Sequence, residues 1–189
     1  RERRGADLWR ILARIRGAVP GIALRTSFIV GFPGETDDDV ARLVDFVSEA
    51  EFAHVGVFRY SQEEGTAAAT LADQVPEALK AERRERVMVA QAEVAARVLA
   101  RRVGGVEEVL VERRVGPGRL VGRTSQQAPA IDGVVKLSGR AAPGDIVRVR
   151  LTGADTYDLT GDVVSSGGMK DAPLRMAPAE SPAPARGPD

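Results

Sequence analysis

The chain has 189 residues and no cysteine. That excludes a disulfide framework, and any thiolate-held zinc or iron–sulfur centre built from these residues alone. One histidine is present, His54, with no cysteine, serine or second histidine at catalytic spacing, so it reads as structural. Aromatic residues make up only 4%, and Lys80, Lys136 and Lys170 are the only lysines beside 24 arginines. The net charge is zero, which does not indicate a strongly basic nucleic-acid binder. No apolar run reaches the ~18 residues of a membrane span. The first residues, Arg1-Glu2-Arg3-Arg4, lack the apolar core of a secretory signal and an initiator methionine. These absences fit a cytoplasmic protein whose chain starts inside something longer.

What is there suffices for a core: 43% of the residues are hydrophobic. Leu8, Ile11, Leu12 and Ile15 follow helical spacing and predict a helix from Asp7, its N-cap, to Ala18, with Trp9 packing beside the stripe. Leu24 to Gly31 predicts a strand whose apolar core is continuous, as in a parallel strand covered on both faces. Thr36, followed by Asp37, Asp38 and Asp39, caps a helix whose buried stripe is Val40, Leu43, Val44 and Val47. His54 to Tyr60 predicts a second strand. After a polar loop, Pro76 opens a long helix to about Arg102, with Val87, Ala90, Val94 and Val98 inward and a charged run, Glu82 to Arg86, on a solvated face. The alternation implies a parallel α/β unit over residues 1–102.

Gly104-Gly105 then marks a change to short β-runs: Val106–Glu112, Arg119–Arg123, Asp132–Leu137, Asp145–Thr152 and Asp158–Val164. Five such runs separated by turn residues imply a small closed barrel of OB-like type over residues 103–165. The Asp132-Gly133 pair there reads as hairpin-turn chemistry. Five of the 11 prolines fall after Ser165, so residues 166–189 are expected to be a disordered tail.

The stretch Thr26-Ser-Phe-Ile-Val-Gly-Phe-Pro-Gly-Glu-Thr36 carries the most chemistry. An apolar strand runs into a glycine-rich turn and a helix start, a common place for an anionic or nucleotide-like ligand. A simpler reading is a tight turn whose glycines supply unusual φ values. A second stretch, Val55-Gly-Val-Phe-Arg-Tyr-Ser-Gln-Glu-Glu-Gly-Thr66, places Phe58 and Tyr60 on or just after the neighbouring strand, where they could be core or face a ligand.

Both stretches resemble the methylthiotransferase family of the radical S-adenosylmethionine (SAM) superfamily. The resemblance covers nearly all of Arg1 to Val164. It implies that the α/β unit is the C-terminal portion of a radical SAM (βα) barrel. It implies SAM beside Ile29, Gly31, Phe32 and Gly34, with Phe58 and Tyr60 on the next strand as further cofactor contacts. It assigns no catalytic residue and no metal ligand to this chain. The family uses two 4Fe–4S clusters held by cysteines that are absent here, so the chain alone is expected to be inactive, with the missing N-terminal portion of the same enzyme as a partner. Glu63-Glu64 resembles the protein-modifying branch, which methylthiolates an aspartate of a small-subunit ribosomal protein, the twelfth. The tRNA-modifying branch usually has a basic residue and proline there.

The C-terminal module resembles the TRAM domain of these enzymes through Ala128-Pro-Ala-Ile-Asp-Gly-Val-Val135 and Gly153-Ala-Asp-Thr-Tyr-Asp-Leu159. Residues 103–164 hold eight basic and eight acidic side chains. A neutral module favours a protein partner, the ribosomal protein, over nucleic acid. The alternatives are a tRNA methylthiotransferase or a non-catalytic TRAM binding module. Two strands standing alone also leave unpaired edges, which predicts association and poor solubility.

Overall fold

The computed structural model describes residues 2–165, with side chains from Asp7 onward. The order of elements is α1 (Glu2–Ala18), β1 (Arg25–Val30), α2 (Asp37–Ala50), β2 (His54–Arg59), α3 (Glu77–Ala100), β3 (Val106–Gly116), β4 (Arg119–Arg123), β5 (Val135–Ser138), β6 (Ile146–Ala154) and β7 (Leu159–Ser165). No helix among the described residues is long and apolar enough to cross a membrane. The proline-rich tail lies outside the described residues.

β1 and β2 form a two-stranded parallel sheet, with Phe28 opposite Val57 and Ile29 opposite Phe58. One face is packed. Val30, Val55 and Val57 meet Val40, Val47, Phe52 and Val87, with Phe28 and Phe46 against the same core. The other face is open, so burial alternates along β1 and exposes Arg25, Ser27 and Ile29. This corrects the expectation of a strand covered on both faces. The apolar run Phe28-Ile29-Val30 is real, but with only two strands nothing lies across from Ile29.

Three further expectations need correcting. The first helix starts at Glu2, and Asp7 pairs with Arg10 inside it rather than capping it. Of its predicted stripe Leu12 is buried, whereas Leu8 and Ile11 are exposed and Trp9 packs edge-on to Phe46. The charged run Glu82 to Arg86 on α3 is not wholly solvated: Arg83 is buried, as is Lys80 one turn before it, because both reach across to the Gly31 turn.

β3 to β7 close into a barrel in the order β3-β4-β5-β7-β6. Alternate residues point inward, so Val109, Val111, Leu120, Leu137, Val149, Leu151 and Leu159 form a separate core. β5 pairs parallel to β7, and the other pairs are antiparallel. β3 continues four residues beyond the predicted run. Asp132-Gly133 is not a hairpin turn. It belongs to the long β4–β5 connection, and β5 starts at Val135. The linker after α3 is tied into the barrel: Gly104 N–H donates to Leu151 O, Leu151 N–H to Gly105 O, and Arg102 pairs with Glu107.

Candidate functional site

The C-terminal ends of β1 and β2 carry the residues singled out in the sequence. Ile29 and Phe58 sit side by side on the open face, 61% and 60% exposed. Phe32 is exposed just beyond β1 and stacks edge-on with Tyr60, ring centres 5.3 Å apart. Between His54 and Phe58 the same face carries Gly56, where an added Cβ would press on Ser27 and the Phe58 ring. The result is a flat apolar patch with aromatic edges. The Tyr60 hydroxyl is buried and has no hydrogen-bond partner among the described residues.

The Gly31–Thr36 turn holds its shape with its own groups. Pro33 and Gly34, the latter at φ 78°, make a tight turn closed by Glu35 N–H to Phe32 O, 2.9 Å. The Gly34 amide donates to Asp73 O at 3.0 Å. The Gly31 amide donates to the Glu35 carboxylate at 2.8 Å. Thr36 and Asp39 form a reciprocal capping box at the start of α2. The amides that a glycine-rich turn could offer to an anion are thus largely engaged, and Asp37 to Asp39 set negative charge on the helix start. An apolar or aromatic ligand group suits this end better than a phosphate.

Sequence reasoning missed the clamp behind the turn. Arg83, 4% exposed, donates to Glu35 O at 3.1 Å, to the Glu35 carboxylate at 3.0 Å and to Asp37 at 2.8 Å. Lys80, 7% exposed, lays its stem where a Gly31 side chain would go and donates to Tyr60 O at 3.0 Å, its ammonium over the Tyr60 ring. Gly31 therefore needs to be glycine twice over, for its φ of 77° and for the Lys80 methylenes. The signal was present: Lys80 and Arg83 lie on the same helical side as Val87 and Ala90.

The opposite end of the sheet carries His54. Its imidazole is half-buried with Nδ1 3.3 Å from Asp132. Burial pushes its pKa below the usual 6.5, Arg25 pushes the same way, and Asp132 opposes both. The carboxylate beside His54 is thus one that Arg25 also holds. Among the described residues no cluster of histidine, cysteine, aspartate and glutamate is placed to hold a metal.

Charge on the barrel is neutral in sum but not in distribution. Glu107, Glu112 and Asp158 pair with Arg102, Arg123 and Lys136. The Lys136 hydrogen bond and the Val134 amide outweigh burial and hold the Asp158 carboxyl below its usual range. Arg113, Arg114, Arg119 and Arg140 have no ion pair among the described residues. They gather at one end, where the 139–144 loop lies beside the β3–β4 turn through Gly139 N–H to Gly118 O and Arg114 to Ala141 O.

Comparison with known proteins adds the following. Residues 103–164 match the family model of the TRAM domain. The ribosomal protein uS12 methylthiotransferase RimO of Pelotomaculum thermopropionicum is 50% identical over 168 residues, 86% of this chain and 38% of the relative. The protein of the same name from Microcystis aeruginosa is 48% identical over 155 residues, 82% of this chain and 36% of the relative. That from Anaeromyxobacter sp. (strain Fw109-5) is 47% identical over 191 residues, 98% of this chain and 41% of the relative. The chain thus spans about two fifths of the length of the curated relatives it matches.

Proposed function

Since the chain belongs to the RimO family, as a C-terminal part of its members, we propose that it is the substrate-docking and cofactor-wall portion of a cytoplasmic enzyme that methylthiolates an aspartate of ribosomal protein uS12. The observation that carries this reading is identity near one half across both structural units, rather than over the β-barrel alone. The open face of β1 and β2 supports it. Ile29 and Phe58 would lie against the SAM adenine, with Phe32 and the Tyr60 ring at its margin. When bound to a cluster in the complete enzyme, SAM supplies the radical that removes hydrogen from the target carbon. No residue here fits the clusters themselves, because the chain has no cysteine, and no step is assigned to them on this chain. The α/β unit is read as the last part of a radical SAM barrel, the β-barrel as the docking module for uS12, and the cysteine-bearing portion of such an enzyme as the required partner.

The test uses the purified chain with SAM and a reductant, alone and together with the cysteine-bearing remainder of a RimO relative. The chain alone releases no deoxyadenosine. The combination does, and it adds the mass of a methylthio group to uS12. Deoxyadenosine from the chain alone, or no product from a well-folded combination, overturns the reading.

A second reading rests on the four unpaired arginines at the far end of the barrel. They form a local basic surface that the neutral net charge conceals, and such a surface suits phosphates. Salt-sensitive RNA binding lost on Arg113→Glu with Arg119→Glu would favour this reading. Binding of uS12 unaffected by the same pair would favour the first.

A further inference from the structure

Asp132 has no place in the function just described, yet its carboxylate lies near groups of three residues, two of them in the α/β unit. Its side chain is 2% exposed although it lies in the β4–β5 connection of the barrel. It accepts hydrogen bonds from both terminal guanidinium nitrogens of Arg25, Nη1 at 3.0 Å and Nη2 at 2.6 Å, and from the Ala128 amide at 2.6 Å, with His54 Nδ1 3.3 Å away. Arg25 is the first residue of β1 and His54 the first of β2. One carboxylate of the barrel therefore grips the N-terminal end of β1 and lies against the N-terminal end of β2. The bidentate geometry fixes direction as well as distance, which a single hydrogen bond does not. Two further side-chain bonds join that loop to the α/β unit, an exposed one from Gln126 to Gly21 O at 3.1 Å and a part-buried one from Arg102 to the Thr124 hydroxyl at 3.2 Å, and neither is bidentate.

We propose that Asp132 is a positioning residue that pins the β-barrel to the end of the sheet opposite the Gly31 turn, so that the two units move as one rigid body. Five residue steps separate Arg25 from Val30, about 17 Å of strand. The barrel thus stands behind the sheet and does not roof the Ile29–Phe58 face. A partner held by the barrel reaches that face only by spanning the length of the sheet, so the arrangement selects a large partner over a short peptide. The pin itself does not depend on what the open face binds.

The test is nitrogen-15 relaxation of the full chain, read separately for amides of the two units. The native chain should show one shared rotational correlation time. Asp132→Asn keeps an acceptor for the Ala128 amide but loses the charge that Arg25 chelates. Arg25→Ala keeps the loop's own bond from the Ala128 amide and removes the pin from the other side. Both variants should keep the amide fingerprints of both cores while each unit's correlation time drops toward that of a free domain of its size. A role confined to folding the loop would leave the shared correlation time unchanged. If both variants still tumble as one body, or if the native chain already tumbles as two, the proposal is wrong.

Discussion

Every strand of the β-barrel has two neighbours, whereas each strand of the α/β unit has one. In the barrel, β3 pairs with both β4 and β6, so the ladder returns on itself and leaves no edge to template association. In the α/β unit the two edges differ. The outer edge of β2 is partly blocked, since Arg84 donates to Val57 O at 3.1 Å. The outer edge of β1 carries the backbone groups of Arg25, Ser27 and Ile29, which alternate with those turned toward β2. The same strand exposes Ile29 on the open face. One half is finished by its own residues. The other has a finished back, built from α1, α2 and α3, and an unfinished front and flank. Closure, more than the amount of apolar sequence, is what separates the two units.

The largest effect that would sharpen this contrast is in the finished core. Leu151→Ala, at a fully buried barrel position, should cost about 3 kcal/mol in denaturant unfolding of the barrel. A cost near zero would mean the barrel is not packed as described. Next comes the clamp. Arg83→Leu strips the partly buried Glu35 carboxylate of its cation and should cost about 2 kcal/mol, with faster hydrogen exchange at the Gly31 amide. Thr36→Ala removes half of the capping box and should cost about 1 kcal/mol by thermal unfolding. Phe58→Ser on the open face should change stability by no more than about 0.5 kcal/mol while reducing self-association in sedimentation. A large loss would show the face is packed after all.

The smallest effect is with pH. Because the folded chain keeps His54 below its unfolded value of 6.5, the unfolded chain binds the proton more readily. Stability should be full above that pH and decline as pH falls toward the folded pKa. The decline should flatten in His54→Gln. An opposite slope would mean that Asp132 wins over burial.

Much of this was legible because it rests on local rules. The Thr36 cap, the valine stripe of α3 and the alternation in β6 each report on neighbours within a few residues. What was not legible depends on residues far apart. Ile29 reads as core by its company in Phe28-Ile29-Val30, and only the count of strands shows it exposed. Arg83 reads as solvated by its company in a charged run, and only its Glu35 and Asp37 partners, nearly fifty residues back, show it buried. Asp132-Gly133 has the composition of a hairpin turn. Its role is set by Arg25, 107 residues away. The candidate ligand contacts divide in the same way. Gly31 and Gly34 could be read from turn chemistry. Which of Phe58 and Tyr60 faces outward follows from the strand's packing.

In the proposed function the α/β unit is complete only with another polypeptide. Hydrogen exchange at the Ser27 and Ile29 amides tests this most directly, measured on the chain alone and with the cysteine-bearing remainder of a RimO relative. The account predicts rapid exchange alone and strong protection in the mixture, with Val109 and Val149 in the barrel core slow in both. Protection already present in the isolated chain, or no change on mixing, would contradict it.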